Sequence, residues 1–221
     1  MGQVRQDWPW VGTASGALFV LAQFAGFGIG AAGRGFERIT LTTPATDVER
    51  ALAEPVPTTV WVGGYVEVLA YLFFLVFAAC LAAALRGDGN DPPWASLTVI
   101  SAGVLVVATS FIGYATEGAA YLRFGDGIDT AVARALLDVA NLAFVLVWSG
   151  LAVLLLAVAA ARVLARWLTI AAAILGLIFL AATAVPFTPV GEIADLALWA
   201  WIISVSVSLL RTGRRTTTSG P

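Results

Sequence analysis

The segment that decides the fold class is residues 61–84, WVGGYVEVLAYLFFLVFAACLAAA. Within this run Glu67 is the only charged side chain. A helix that crosses the roughly 30 Å hydrocarbon core of a bilayer needs about 20 mostly apolar residues, because each residue adds about 1.5 Å. The segment meets that length and therefore predicts a transmembrane helix.

Apolar runs of similar length recur on both sides of this segment. Together they predict six spans, at residues 12–32, 61–84, 95–117, 139–161, 167–187 and 194–211. Hydrophobic residues make up 60% of the chain and the mean hydropathy is +0.91, which excludes a soluble globular protein. We predict an all-α polytopic membrane helix bundle forming one domain over residues 1–211, followed by a disordered cytoplasmic tail at 212–221.

The arginines that flank the spans predict the orientation, because cytoplasmic loops are enriched in positive charge. With a cytoplasmic N-terminus, the inner arginines are Arg5, Arg86, Arg162, Arg166, Arg211, Arg214 and Arg215, and the outer ones are Arg34, Arg38, Arg50, Arg123 and Arg134. Tryptophans favour membrane boundaries, and they fall at the inner ends as Trp8, Trp10, Trp94 and Trp167 and at an outer end as Trp61. Both termini are therefore predicted to be cytoplasmic.

The polar segment 33–60 is predicted to lie outside the membrane. Thr46-Asp47-Val48-Glu49 has the spacing of a capping box, and Pro55 and Pro57 follow it. This pattern predicts a short surface helix at about 47–54. That helix is either a plain connector or a lid over an outward-facing cavity.

Three local patterns predict where helices begin, turn and meet. Asp129 is placed to cap a helix that begins at Thr130 and runs to near Leu164. Residues 87–93, Gly-Asp-Gly-Asn-Asp-Pro-Pro, predict a tight inner turn. Small residues spaced four apart allow close helix packing in lipid, and the pairs with this spacing are Gly26 with Gly30 and Ala172 with Gly176.

Carboxylates occur at the outer ends of four predicted spans. Glu67 lies about two turns inside the second span, Glu117 ends the third, Asp138 begins the membrane part of the fourth, and Asp195 begins the sixth. Ionisable side chains are costly in lipid and normally face the bundle interior. Since Glu67 is the deepest, we expect it to be protonated, to bind a cationic partner, or to share a proton with Tyr114.

Helical spacing arranges the polar residues in stripes. Ser110, Tyr114, Glu117 and Tyr121 share one face of the third span, and Arg134, Asp138 and Asn141 share one face of the fourth. We expect these faces to converge on an outward-opening polar pocket. Its predicted ligand-binding residues are Gln23, Glu67, Tyr71, Tyr114, Glu117, Asp138, Asn141 and Asp195, with Arg123 or Arg134 as internal counter-ions.

Structural explanations compete with this pocket for several of its residues. Arg134 and Asp138 have the spacing of an ordinary i, i+4 ion pair. Asp195 and Glu192 stand at the start of a helix, where acids complement the helix dipole. Glu117 is equally compatible with a solvated position at the rim.

The composition excludes several kinds of chemistry. The chain contains neither lysine nor histidine, which excludes a retinal Schiff base, bis-histidine haem, a histidine-containing zinc site and a Ser–His dyad. A net charge of −2 offers no basic surface for nucleic acid. The single cysteine, Cys80, cannot form an intrachain disulfide. We therefore predict neither a cofactor nor a bound metal.

Three features carry a resemblance to a known family: the polar segment ending in a short helix after the first span, the Ala-Arg-Ala-Leu-Leu-Asp start of the long helix at 133–138, and the Val-Leu-Ala-Arg-Trp-Leu junction at 163–168. With them the chain resembles a family of uncharacterised multi-pass bacterial membrane proteins, a domain of unknown function abundant in actinobacteria. The resemblance implies the bacterial cytoplasmic membrane and no activity for any residue. Arginine without lysine and an abundance of alanine also suit a high-GC genome.

The function we expect is binding of a small molecule or a membrane lipid in the outer pocket, by a transporter-like protein or an accessory subunit. One alternative is a membrane enzyme acting on lipid through carboxylate acid–base or metal-assisted chemistry at Glu67, Glu117 and Asp138. Another is a purely structural subunit of an oligomer or of a partner membrane protein. Convergence of the carboxylates on one cavity distinguishes the first two classes from the third.

Overall fold

The fold is built from helices alone in the part of the chain that the structure describes. This structure is a computed structural model that describes residues 8–33, 39–86, 93–185 and 190–217. The helices are α1 (Trp8–Gly33), α2 (Ala45–Ala53), α3 (Thr58–Leu85), α4 (Pro93–Gly125), α5 (Thr130–Ala161), α6 (Arg166–Ala184) and α7 (Val190–Thr217). All except α2 are long and apolar enough to cross a membrane. The predicted all-α polytopic bundle with six spans is confirmed.

The six long helices form a closed ring. Each packs against the next in the order α1, α3, α4, α5, α6 and α7, and α7 returns to α1. The first turns of α1 meet the C-terminal half of α7 at one end of the ring, where the Thr13 hydroxyl donates to the Ser206 carbonyl at 2.8 Å. We call this end the terminal end and the opposite one the α2 end. Fully buried Phe74, Phe77 and Phe179 belong to the apolar core between the helices.

Glycine backbones bring α1 and α3 into direct contact. A Cβ added to Gly63 would lie 2.6 Å from the Gly30 nitrogen and 2.7 Å from the Gly26 oxygen, so no larger residue fits there without moving a helix. The predicted contact face at Gly26 and Gly30 is confirmed. Gly176 similarly faces α5, where a Cβ would lie 2.9 Å from Leu156 Cγ.

Helix α5 begins as predicted and ends slightly earlier. The Asp129 side chain accepts a hydrogen bond from the Ala131 nitrogen at 2.7 Å, which caps the first turn. The helix stops at Ala161 because Arg162 adopts a left-handed conformation, with φ 56°. The predicted continuation to near Leu164 was therefore too long.

The predicted capping box at the start of α2 does not form. The helix begins at Ala45 behind Pro44, and no side chain makes a capping hydrogen bond. Thr46 consequently lies inside the first turn, two positions after the N-cap Pro44, where it cannot cap the helix. Asp47 instead pairs with Arg50 at 3.1 Å.

Helix α2 covers an apolar surface at the α2 end. With 33 and 32 residues, α4 and α5 are each about 50 Å long, well beyond the roughly 30 Å hydrocarbon core. We call the contact made there the outer cluster; its buried members are Ile39, Val48, Ala51, Leu52, Ala120, Ala133 and Leu137. The apolar face of α2 thus shields the ends of two spans from water.

Helix α7 extends further than expected. It continues to Thr217, so the predicted disordered tail is helical for its first residues. Each residue added to an existing helix gains a backbone hydrogen bond, and arginine is a good helix former. Several predictions lie outside the described residues, namely those on Arg5, Arg34, Arg38, the turn at 87–92 and residues 218–221.

Exposed tryptophans mark both ends of the spans. Trp10, Trp94 and Trp167 are exposed near the terminal end, and Trp61 near the α2 end. The side chain of Trp8 lies outside the described part of the chain. The placement agrees with the predicted membrane boundaries, since amphipathic rings favour the interface.

Candidate functional site

A partly open cavity of about 240 Å³ lies between α1, α3 and α4 near the α2 end. We call it the main cavity. The described residues that line it are Gly30, Val56, Val60, Trp61, Gly64, Tyr65, Glu67, Val68, Tyr114, Glu117, Gly118 and Tyr121. It combines two carboxylates with four aromatic side chains on an otherwise apolar or glycine-lined wall.

Glycines create the space for this cavity. A Cβ built on Gly30 or on Gly64 would meet nothing within 4 Å, and one on Gly118 would lie 3.4 Å from the Trp61 ring. Gly26 and Gly63 hold α1 and α3 together just beside this space. The same two helices therefore touch along one line and leave a recess next to it.

A hydrogen bond between helices lies in the cavity wall. The Tyr114 hydroxyl on α4 donates to Oε2 of Glu67 on α3, which is one of the contacts predicted for that carboxylate. The Tyr114 ring packs edge-on against Phe144, with centroids 5.1 Å apart, and lies 6.2 Å from the Tyr71 ring. These ring contacts restrict the movement of the Tyr114 side chain and therefore of its hydroxyl.

Glu117 connects the main cavity to a much smaller one. It lines both, and the second, about 10 Å³, is also bordered by Leu137 and Asn141. Such a volume holds one water at most. The Asn141 side-chain nitrogen donates to the Leu137 oxygen at 2.9 Å and to the Ile39 oxygen at 3.3 Å. Asn141 thus ties the segment before α2 to α5.

The structure brings together only part of the predicted site. Glu67, Tyr114 and Glu117 line the main cavity, whereas four predicted residues line neither cavity: Gln23, Tyr71, Asp138 and Asp195. Gln23 is buried on α1, and its side-chain nitrogen has no hydrogen-bond partner among the described residues. Tyr71 packs behind Tyr114, and its ring also lies 6.1 Å from that of Phe19.

The predicted counter-ions do not reach the main cavity. Arg123 pairs with Asp126 at 3.6 Å, where both side chains are more than two-thirds exposed, and it lines neither cavity. Arg134 lines neither cavity. Among the described ion pairs, none joins Arg134 to Asp138, so the expected i, i+4 bridge is not formed.

Sequence reasoning missed the aromatic wall on α3. Trp61, Tyr65 and Val68 line the cavity with Gly64, and their i, i+3, i+4, i+7 spacing marks one helical face. We interpreted Trp61 as a boundary marker alone. The helical spacing of Trp61, Gly64, Tyr65 and Val68 could have predicted that Trp61 also lines a cavity.

A search for metal-binding groups and comparisons with known proteins give no further indication of the function. In the described ranges, no group of three or more Asp, Glu, Cys or His side chains is placed to hold a metal ion. No family model, curated protein or solved structure matches the chain. The main cavity itself is therefore the basis for a functional assignment.

Proposed function

We propose that this protein binds a small molecule or a membrane lipid in the main cavity, as a transporter-like protein or an accessory membrane subunit. The observation that carries the proposal is the Glu67–Tyr114 hydrogen bond in the wall of a glycine-lined recess. Ionisable side chains within spans are costly and mark functional sites by default. A tightly packed bundle has no need of such a recess, since residues larger than glycine would fill it.

The size of the cavity indicates the size of its occupant. Pockets for drug-sized ligands measure roughly 300–1,000 Å³, and an apolar cavity of about 150 Å³ holds benzene. At about 240 Å³ the main cavity lies between these values. It suits a compact ligand or one part of a lipid.

We assign the protein to the bacterial cytoplasmic membrane, with both termini inside and the main cavity opening outward. The arginine distribution supports this orientation: Arg86, Arg162 and Arg166 flank the spans at the terminal end, where the positive-inside rule places the cytoplasm. The cavity would then receive its ligand from outside or from the outer leaflet.

Native mass spectrometry after mild extraction tests this function. We expect the wild type to retain a bound small molecule or lipid and Gly64→Leu to lose it, because the new side chain extends into the open space at that position. Gly28→Leu is the matched control, since a Cβ at Gly28 also meets nothing within 4 Å and Gly28 lines neither cavity. Equal retention by the two variants would contradict the proposal.

A further inference from the structure

We propose that the main cavity recognises an alkylated ammonium cation, either a free quaternary ammonium ion or the trimethylammonium headgroup of a lipid. This inference rests on the proposed function, because it names the chemical class of the ligand at the same site. Four features carry it: the aromatic side chains of the wall, the sign of its charge, its shortage of metal ligands and the position of its rim.

Aromatic side chains form much of the wall. They are Trp61, Tyr65, Tyr114 and Tyr121. A cation within about 6 Å of such a ring is attracted by its quadrupole, most strongly by tryptophan. Quaternary ammonium groups are recognised by aromatic cages of this kind, since their methyl groups contact the ring faces while the charge stays close to them.

The charge of the wall favours a cation over an anion. Glu67 and Glu117 both line the cavity, and none of the described lining residues carries a positive charge. An anion would face two carboxylates in surroundings of reduced dielectric, where repulsion is stronger than in water. A quaternary ammonium ion has no N–H group, so it does not compete with Tyr114 for the lone pairs of Glu67.

The wall suits an organic cation better than a metal ion. Calcium takes six to eight oxygen ligands and magnesium requires an octahedron of them. The described lining residues other than the two glutamates and the tyrosines are valines, Trp61 and glycines, none of which has a side-chain oxygen. A metal ion would keep most of its hydration shell against that surface, whereas methyl groups gain by contacting it.

The rim lies where a lipid headgroup can enter. Trp61 is 39% exposed and Tyr65 is 64% exposed, and both border the cavity. Tryptophan and tyrosine favour the headgroup level of a bilayer. A trimethylammonium group at that depth therefore meets the opening directly, as does a free cation arriving from water.

The test compares choline with 3,3-dimethylbutan-1-ol, its uncharged carbon isostere, on the full-length protein in a detergent without choline groups. Titration calorimetry should show choline binding at least about tenfold more tightly, because only choline gains the cation–π and carboxylate attraction. Glu67→Gln and Tyr65→Leu should each weaken choline binding several-fold, and Tyr65→Phe, which keeps the ring, should weaken it less than Tyr65→Leu. Gly28→Leu serves as the control.

Equal binding of choline and its isostere would overturn the inference, as would wild-type choline affinity in both Glu67→Gln and Tyr65→Leu. If Glu67→Gln does not fold, Tyr65→Leu decides, since Tyr65 is largely exposed. If Gly64→Leu loses a bound species while choline shows no preference over its isostere, the proposed function stands and the cation assignment fails. If, in addition, Gly64→Leu retains every species that the wild type binds, both the proposed function and the cation assignment fail.

Nanodiscs made from either phosphatidylcholine or phosphatidylglycerol distinguish the two sources of the cation. If the ligand is a lipid headgroup, phosphatidylcholine should raise the melting temperature above that in phosphatidylglycerol and should block free choline. If it is a free cation, choline should bind equally in both lipids. The inference would be overturned if phosphatidylcholine did not raise the melting temperature and free choline bound in neither lipid.

Discussion

Glu67 is held by a hydroxyl from a different helix, so its position reports directly on how α3 meets α4. The sequence predicted a partner for this carboxylate, with Tyr114 among the alternatives, because depth in a span is readable from the position along the helix. It did not predict the aromatic neighbours Trp61 and Tyr65. Whether these two rings line a cavity depends on where α4 lies, and the sequence of α3 does not determine the position of α4.

Removing the Tyr114 hydroxyl should destabilise the fold. We expect Tyr114→Phe to lower the free energy of unfolding by about 1.5–3 kcal/mol if Glu67 is charged, and by about 0.5–1.5 kcal/mol if it is neutral. Unfolding by denaturant in mixed micelles measures this loss. Tyr65→Phe is the matched control, because Tyr65 is 64% exposed; losses of equal size in the two variants would rule out a specific contribution from the hydrogen bond.

Two candidate helix caps differ in the structure and should differ in energy. Asp129→Ala removes the bond to the Ala131 nitrogen and should cost about 0.5–2 kcal/mol. Thr46→Ala should cost little, since Thr46 makes no capping bond. Hydrogen exchange in the first turns of α5 and α2 measures both. A larger loss of protection from Thr46→Ala would mean that the capping box does form.

At the scale of elements, the six spans were predictable because length and hydropathy are properties of each segment alone. The ring order and the docking of α2 were not, since they depend on which faces meet. Apolar helices in lipid gain nothing from hydrophobic burial against each other. Their partners are therefore selected by van der Waals packing and by hydrogen bonds between helices. The small-residue faces at Gly26 and Gly176 were the exception, because close approach requires small residues.

Because the backbones of α1 and α3 are in direct contact, a side chain added at the contact should destabilise the protein. Gly63→Ala should destabilise the protein by roughly 1–3 kcal/mol, because the added carbon would overlap the backbone of Gly30 and force the helices apart. Gly28→Ala should be neutral or slightly stabilising, since its carbon enters open space and alanine is the better helix former. Thermal unfolding in detergent compares the two variants, and equal melting temperatures would contradict the close contact.

For the whole molecule, four helices were expected to contribute carboxylates to one pocket, and among the described residues only α3 and α4 contribute them to the main cavity. Periodicity places polar residues on one face of a helix, yet it does not give their heights relative to residues on other helices. Asp138 follows Leu137, which packs in the outer cluster, so Asp138 lies at the level of α2. Relative heights depend on tilt and helix length, which periodicity leaves open.

The orientation in the membrane can be measured with single cysteines in a Cys80→Ser background. We expect Arg50→Cys, on α2, to react with an impermeant thiol reagent added to intact cells, and Ala165→Cys, before α6, to react only after permeabilisation. The physical reason is the excess of arginine at the terminal end. Reversed labelling would place the main cavity on the cytoplasmic side.

The accessibility of position 64 tests the central claim most directly, namely that the recess between α1, α3 and α4 is a water-accessible site selective for cations. In the Cys80→Ser background, Gly64→Cys should react with a methanethiosulfonate carrying trimethylammonium several-fold faster than with one carrying sulfonate, because Glu67 and Glu117 line the same cavity. Leu72→Cys, an exposed position deeper on α3, should react with neither. An unreactive thiol in the Gly64→Cys variant, or one that prefers the sulfonate reagent, would contradict the account.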